Sequence, residues 1–144
     1  MPDLTKIVMD APALTAFMAR DFSQVADDFE LGKVTPEGLQ LWLKASEKHL
    51  RPGGTVSGPA MFALADIAAY LAILSRIGPV ALAVTTSCSM DFMRKPAAGR
   101  SIYADVRLLK IGRSLAVADL LIYSEGEGDP MARATMTYSI PPTR

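Results

Sequence analysis

The sequence predicts an α+β fold in which a curved antiparallel sheet wraps around one long central helix. An apolar run at about 59–76 predicts a helix, and because it is apolar on every face, this helix must be surrounded by protein. Four segments of alternating polar and apolar residues follow it, at about 81–93, 101–110, 114–123 and 131–140. Short turns join these predicted strands and favour an antiparallel meander. A sheet that curls around the helix would bury the apolar surface of both.

Two further elements are predicted before the central helix. Apolar residues at helical spacing predict a short amphipathic helix at about 11–22. The chain is expected to be extended at about 29–33, and turn-forming residues at 35–38 lead into an alternating strand at about 39–44. The sequence contains no internal repeat and no low-complexity stretch, so the 144 residues fit a single domain, 1–144.

The composition favours a globular protein that forms oligomers. Hydrophobic residues make up 50% of the chain, and a chain of this length exposes much of its surface, so we expect some apolar surface to be buried between subunits. The formal net charge is zero, which gives no electrostatic footprint for nucleic acid. The apolar run at 59–74 is shorter than the ~20 residues of a membrane-spanning helix and contains Asp66, so we expect no membrane insertion.

The single cysteine, Cys88, excludes an intramolecular disulfide framework and a metal site built from several cysteines. Its position in the middle of a predicted strand leads us to expect a buried, inert thiol. The first residues lack a basic region followed by an apolar stretch, so no signal peptide is expected. These features fit a reducing cytoplasm, and we expect neither a metal nor a resident cofactor.

Asp66 is the first candidate functional residue, because it is the only charged residue between positions 60 and 75. An unpaired buried carboxylate costs several kcal/mol unless it is hydrogen-bonded, protonated or exposed to solvent in a cleft. One interpretation is a general base or nucleophile in a pocket beside the helix. The alternative is a structural carboxylate bonded to backbone or to an arginine.

Gly58 is the second candidate, because it lies where the central helix begins. The backbone N–H groups of a first helical turn are free, and together with the helix dipole they can stabilise an oxyanion. Alternatively, Gly58 is an ordinary residue between loop and helix. Asp66 lies roughly 12 Å further along the axis at ~1.5 Å per residue. A second subunit would be needed to bring another helix start beside Asp66.

The remaining candidates carry weaker signals. His49, the only histidine, is expected to be a solvated loop residue without a metal partner. Ser57 fits a helix N-cap better than a nucleophile, because no Gly-x-Ser-x-Gly elbow surrounds it. Arg94, Lys95 and Arg100 flank a turn at 96–99, where they could hold a phosphate-bearing ligand or be solvated.

The segment 49–66 reads HLRPGGTVSGPAMFALAD. It is similar to the signature of hotdog-fold thioesterases of the phenylacetate-degradation (PaaI) type, in which an acidic residue lies nine positions after a histidine. Asp66 holds the acidic position within the matching stretch LAD. The later residues FMR-P at 92–96 resemble the family's Phe-Leu-Arg-Pro turn, and the resemblance covers about 42–138.

The resemblance implies a hotdog fold and an acyl-coenzyme A thioesterase, with coenzyme A as part of the substrate. It also implies a homodimer with a continuous sheet, often paired into a tetramer, with active sites between subunits. Asp66 would activate water or attack the thioester carbonyl, and the N–H of Gly58 from the partner chain would polarise that carbonyl. Thr85 lies near the position of a Ser or Thr that orients the attacking water. Arg94 and Lys95 lie where the nucleotide end of coenzyme A could bind.

Three residues depart from the family pattern. Ser57 stands at the position of the histidine, and it can still donate a hydrogen bond. Pro59 replaces the second glycine, and Arg51 stands about where the family has Asn or Gln. Arg51 could polarise a thioester or pair with Asp66, and a paired carboxylate is a weaker base.

Three hypotheses follow. The first is hydrolysis of an acyl-CoA thioester. The second is a non-catalytic acyl-CoA binding or sensing protein on the same fold, with Asp66 neutralised by Arg51. The third, ranked last, is a dehydratase or hydratase, which would need an Asp and His pair that the sequence does not offer near Asp66. A fold alone does not decide among them.

Overall fold

The computed structural model describes residues 3–142, in which helices and strands occur in an α+β arrangement. A 3-10 turn, Glu47–His49, lies in the connection between the second strand and the third helix. The elements, in chain order, are α1 (Ala11–Asp21), α2 (Ser23–Ala26), β1 (Phe29–Val34), β2 (Gly38–Leu43), α3 (Gly58–Ile77), β3 (Val84–Phe92), β4 (Ile102–Ile111), β5 (Leu115–Ser124) and β6 (Ala132–Ser139).

The six strands form one curved antiparallel sheet in the order β1-β2-β4-β5-β6-β3. Helix α3 contacts all six strands, so the sheet wraps around it as predicted from its apolar faces. The predicted fold class is confirmed. Strands β4, β5 and β6 alternate between residues buried against α3 and more exposed residues on the opposite face, which is the pattern of a sheet with one covered face.

The predicted meander is correct for β4, β5 and β6 but wrong for β3. Strand β3 pairs with β6 at the edge of the sheet, not with β4. The connection between β3 and β4 is too long for a tight hairpin, and the N–H groups of Met93 and Arg94 donate to the carbonyl of Met131, just before β6. These bonds hold the connection at the β6 side, and the chain crosses from there to β4.

Strand β3 also begins later than the predicted position 81. The N–H of Ala83 donates to the carbonyl of Val80, which closes a turn over these residues. The hydroxyl of Tyr70 donates to the carbonyl of Ala81 at 2.9 Å and holds this turn against α3. The chain therefore becomes extended only from Val84 onward.

Small residues allow α3 to approach the sheet closely. Fully buried alanines lie on α3 and on the inward faces of the strands that contact it, together with large buried side chains such as Leu64 and Leu71. Burial of each such leucine contributes roughly 1.5–3 kcal/mol. The fully buried alanines of the core are Ala65, Ala68, Ala69, Ala72, Ala104, Ala116, Ala118 and Ala132.

Helix α3 is long and apolar enough to cross a membrane by length and composition alone. However, 78% of its most apolar window is buried inside the protein, with β-strands as its surroundings. This burial identifies α3 as the core helix of the fold.

The carboxyl end of α3 is tied to the amino-terminal segment by Arg76, whose side chain is only 4% exposed. Its guanidinium donates to the carbonyls of Leu4 and Thr35 and to the hydroxyl of Ser75. Burial lowers the pKa of Arg76 from its usual range, and the nearby Glu37 carboxylate opposes this effect. Arg76 thus joins three separate segments at one helix end.

Candidate active site

One stripe of α3 is left open by the sheet. Pro59, Phe62, Ala63 and Asp66 are more exposed than the residues between them, and their spacing places them on one helix face. Phe62 is 40% exposed and Asp66 is half-buried. The only charged group on this stripe is therefore surrounded by apolar side chains and accessible from one side.

The carboxylate of Asp66 is held by two hydroxyl groups on the same oxygen. Thr85 Oγ1 donates to Asp66 Oδ1 at 2.6 Å, and the Tyr138 hydroxyl lies 2.7 Å from the same atom. Within residues 3–142, Oδ2 receives no hydrogen bond, and no lysine or arginine lies within 4.0 Å of the carboxylate. Asp66 thus keeps one oxygen available on the open side.

An irregularity in β3 brings Thr85 to this position. Thr85 lies opposite Tyr138 of β6, but Ser87 lies opposite the next residue, Thr137, so that β3 contains one extra residue, Thr86. Such a bulge redirects the side chains on either side of it. As a result, Thr85 and Cys88 both lie opposite buried residues of β6 and face the helix side of the sheet.

Burial and the negative charge of Asp66 affect the two nearby titratable groups in the same direction. Burial, and then the Asp66 carboxylate, raise the pKa of the Tyr138 hydroxyl far above its usual range. Burial, with a smaller contribution from Asp66, raises the pKa of the Cys88 thiol. Contrary to the sequence-based expectation, Cys88 is exposed, because β3 is an edge strand and the bulge turns Cys88 toward the open stripe.

The amino end of α3 has the geometry expected of an anion-stabilising helix start. Ser57 is the N-cap, and its hydroxyl accepts a hydrogen bond from the N–H of Ala60 at 3.2 Å. In the part of the chain that the structure describes, the N–H of Gly58 has no acceptor. The ring of Phe92 packs beside Gly58, since a Cβ added there would lie 3.7 Å from Phe92 Cζ.

His49 supports the loop before α3 and is not the solvated residue expected from the sequence. It is 8% exposed, and its Nδ1 accepts a hydrogen bond from the N–H of Ser46 at 2.9 Å. Its Nε2 lies 3.7 Å from Asp28 Oδ2, and its carbonyl accepts from the N–H of Ser57 at 2.8 Å. His49 therefore holds the loop residue Ser57 at the start of α3.

The basic residues expected near the substrate lie away from Asp66 within one chain. Arg51 is exposed in a tight loop closed by the bond from the N–H of Gly54 to the Arg51 carbonyl, and it forms no pair with Asp66 among residues 3–142. The Nε of Arg94 donates to the carbonyl of Pro130 at 3.1 Å, and Lys95 is exposed beside it. No group of three or more His, Cys, Asp or Glu side chains in the described residues could hold a metal ion.

Tyr138 is the site residue that the sequence analysis missed. The signal was present, because Ala132, Ala134, Met136 and Tyr138 alternate on the inward face of β6 and place a polar hydroxyl in the core. A buried hydroxyl needs a partner, and Asp66 is the only acidic residue of the central helix.

Comparisons with known proteins identify a matching family and similar structures. The family model described as Thioesterase superfamily matches residues 53–131, which include Gly58, Asp66 and Thr85. A search of curated proteins gave no match. A candidate thioesterase from Silicibacter sp. TM1040 has a crystal structure similar to this chain, with 50% identity, 96% of each chain covered and a TM-score of 0.89.

Two more distant structures have the same fold. A point variant of the phenylacetic acid degradation protein PaaI from Thermus thermophilus is 28% identical, with 88% of this chain and 99% of that chain covered and a TM-score of 0.67. Zebra fish thioesterase superfamily member 2 is 23% identical, with coverages of 91% and 95% and a TM-score of 0.76. The family match over more than half of the chain, together with the 50% identical structure, shows that this chain belongs to the Thioesterase superfamily and has the predicted hotdog fold.

Proposed function

We propose that this protein hydrolyses an acyl-CoA thioester to a free acid and coenzyme A, with Asp66 as the catalytic carboxylate. Family membership supports thioester hydrolysis in general. The observation that carries the proposal is the hydrogen bonding of Asp66: Oδ1 accepts from two hydroxyl groups, whereas Oδ2 accepts none from residues 3–142 and lies on an exposed apolar stripe. A carboxylate held in this way is oriented for reaction with a bound carbonyl or water.

In the water-activation route, Asp66 Oδ2 takes a proton from a water molecule while the oxygen of that water attacks the thioester carbonyl carbon. The tetrahedral intermediate carries an oxyanion, and its collapse breaks the C–S bond. The thiolate leaves and takes up the proton held by Asp66, so the products are a carboxylic acid and a free thiol. Thr85 donates its proton to Asp66, and its lone pairs remain available to accept a hydrogen bond from the attacking water.

A nucleophilic route uses the same atoms. Asp66 Oδ2 attacks the carbonyl carbon and expels the thiolate, which forms a mixed anhydride between the acyl group and Asp66. Water then hydrolyses this anhydride and restores the carboxylate. In both routes the N–H of Gly58 would stabilise the oxyanion, because it is a free donor at the positive end of the α3 dipole.

The two catalytic groups belong to different chains in this proposal. Within one chain Gly58 and Asp66 are separated by roughly 12 Å of helix at ~1.5 Å per residue. Strand β3 is at the edge of the sheet, and exposed apolar residues lie on it or near it: Leu82 (78% exposed), Val84 (57%), Phe92 (53%) and Met93 (45%). We propose a homodimer formed through this edge, alone or within a tetramer, in which Gly58 of one protomer faces Asp66 of its partner.

The carrier is proposed to be coenzyme A because exposed cations lie beside the same edge. Arg94 and Lys95 follow β3 directly and are exposed, which suits contact with phosphate groups. Pro59 is on the open stripe, and Arg51 lies in the loop before it, so both are proposed to contact the thioester or the pantetheine arm. The cytoplasm is the expected compartment.

The competing hypotheses make different demands on Asp66. The binding or sensing alternative needs a pair between Arg51 and Asp66, and residues 3–142 of one chain contain no such pair. A hydratase would need a histidine beside Asp66, but His49 is buried and bonded to the N–H of Ser46. Hydrolysis is the function that the free Oδ2 favours.

A panel of thioesters tests the proposal. Acyl-CoAs with short, medium, long and aromatic acyl groups are each compared with the matching pantetheine thioester. Hydrolysis is followed by the loss of thioester absorbance, because the exposed Cys88 would itself react with a thiol reagent. We expect turnover of at least one acyl-CoA and a higher KM for its pantetheine analogue. Binding of acyl-CoA by calorimetry without turnover of any panel member would instead support the binding alternative.

A further inference from the structure

The hydroxyl of Tyr138, a residue of strand β6, lies beside the middle of helix α3. Tyr138 is 3% exposed and belongs to β6, which packs against α3. Its hydroxyl oxygen lies 2.7 Å from Asp66 Oδ1 and 2.8 Å from the backbone carbonyl oxygen of Asp66. One side chain therefore contacts both the carboxylate and the helix turn that carries it.

The two hydroxyl groups on Asp66 Oδ1 come from a single cross-strand pair. Thr85 and Tyr138 lie directly opposite each other in β3 and β6, at the start of the β3 bulge. The residues of such a pair have their side chains close together on the same face of the sheet. The sheet thus presents two donors to one oxygen atom, and a change of register in β3 would separate them.

The ring of Tyr138 is held independently of its hydroxyl. Its centroid lies 5.9 Å from that of Tyr70, and the hydroxyl of Tyr70 is bonded elsewhere, to the carbonyl of Ala81 at 2.9 Å. The two tyrosines have similar surroundings, and only one of them contacts Asp66. Burial and the Asp66 charge raise the pKa of Tyr138, so that its hydroxyl stays protonated and able to donate at neutral pH.

We propose that Tyr138 is a positioning residue for the hydrolytic reaction: together with Thr85 it occupies Oδ1 of Asp66 and fixes the carboxylate so that Oδ2 faces the substrate. This inference rests on the proposed function, because it assigns the reacting oxygen of the same site. Tyr138 acts through Asp66 and does not touch the substrate. Loss of the Tyr138 hydroxyl lowers the fraction of time in which Oδ2 is oriented toward the substrate. This change affects the chemical step more than substrate binding.

The variant Tyr138→Phe tests this role, with Tyr70→Phe as the matched control. Both changes remove one buried phenolic hydroxyl and keep the ring. We expect Tyr138→Phe to lower kcat about tenfold or more with KM within about twofold, because a hydrogen bond to a charged group is lost. Tyr70→Phe is expected to keep kcat within about twofold. Equal kcat values for Tyr138→Phe and the wild type, or equal losses in both variants, would overturn the proposal.

A thermal double-mutant cycle gives a readout that needs no substrate. Tm values are measured for the wild type, Asp66→Asn, Tyr138→Phe and the double variant, and the same cycle is repeated with Tyr70→Phe. We expect non-additive Tm shifts for Tyr138 with Asp66 and additive shifts for Tyr70 with Asp66. If the wild type hydrolyses no thioester, the proposed function fails and the role in hydrolysis fails with it. The cycle then decides only whether Tyr138 orients Asp66: additive shifts for Tyr138 overturn that contact, and non-additive shifts support it.

Discussion

The hydroxyl oxygen of Thr85 lies 2.6 Å from Oδ1 of Asp66, and this bond joins the edge strand β3 to the middle of helix α3. The carboxylate is therefore oriented by neutral hydroxyl groups, with no lysine or arginine within 4.0 Å in residues 3–142. A cation paired with Asp66 would stabilise its charged form and weaken it as a base. Hydroxyl groups can orient the carboxylate without adding a full opposite charge.

Replacement of Thr85 by valine is expected to impair hydrolysis. The change keeps the β-branched shape and removes the hydroxyl, so Asp66 loses one donor and the attacking water loses one acceptor. A hydrogen bond to a charged group is worth ~1.5–3 kcal/mol, which corresponds to a loss of roughly 10- to 100-fold in kcat. The matched control is Thr86→Val, because Thr86 is exposed and its hydroxyl donates to the carbonyl of Thr137 and not to Asp66. Steady-state kinetics that show equal activity in the two variants would contradict the role of Thr85.

Arg76 is expected to be important for stability and not for catalysis. Arg76→Met leaves the carbonyls of Leu4 and Thr35 and the hydroxyl of Ser75 without their buried donor. We expect a loss of about 3 kcal/mol in the free energy of unfolding, since each unsatisfied buried group costs ~1–3 kcal/mol. The exposed Arg113 gives the control Arg113→Met, with an expected change within about 0.5 kcal/mol. Denaturant unfolding measures both, and similar values would show that the Arg76 bonds contribute little.

Stability is expected to fall at alkaline pH. The pKa of Tyr70 is raised by burial, and to a smaller extent by Asp21, from 10.0 to about 12, and that of Tyr138 is raised further. A folded-state pKa above the unfolded value means that the folded state holds the proton more tightly. The stabilisation that comes from these protonated tyrosines is therefore complete below pH 10, and it is lost as the pH rises from there through the folded-state pKa. Each tyrosine contributes a slope of ~1.4 kcal/mol per pH unit between its two pKa values.

Urea unfolding at several values between pH 9 and 12 measures this slope. Tyr70→Phe is expected to reduce the slope between pH 10 and 12, since a tyrosine with a raised pKa is removed. An unchanged slope in this variant would mean that the pKa of Tyr70 is the same in the folded and the unfolded protein.

The proposed dimer predicts that a charge on the β3 edge separates the protomers and abolishes hydrolysis. Leu82, which is 78% exposed just before β3, would be buried by a partner, and an unpaired buried carboxylate in Leu82→Asp would cost several kcal/mol. Leu109→Asp is the control, because Leu109 is 47% exposed on β4, away from this edge. Sedimentation analysis should find the wild-type oligomer for the control and a species of half its mass or less for Leu82→Asp. A wild type that is monomeric and fully active would contradict the shared active site.

The sequence was sufficient to predict the central helix and its carboxylate, because their signals are local. An apolar segment of helical length with one acidic residue can be recognised in the sequence. The start of α3 is marked by Ser57, Gly58 and Pro59. The N-cap bond of Ser57 is observed as expected. The family resemblance indicated Thr85, whose contact with Asp66 is a finding of the structure.

Three features could not be predicted in this way, because they depend on contacts between distant segments. The pairing of β3 with β6 is set by long-range strand order, which short turns alone do not reveal. The exposure of Cys88 follows from the edge position of β3 and from the bulge at Thr86, which the pattern of a single strand does not reveal. Tyr138 is 72 residues from Asp66, and only the folded sheet brings the two together.

The proposed hydrolysis depends on the Asp66 carboxylate, and the variant Asp66→Asn tests this dependence. The change keeps the shape of the side chain and removes its charge. Asp105→Asn, on the opposite face of the sheet, is the matched control. The measurement is kcat/KM for the best acyl-CoA of the panel in the three proteins. We predict a loss of about 100-fold or more in Asp66→Asn and nearly full activity in Asp105→Asn. Turnover by Asp66→Asn within about threefold of the wild type would show that the Asp66 carboxylate does not perform the hydrolysis.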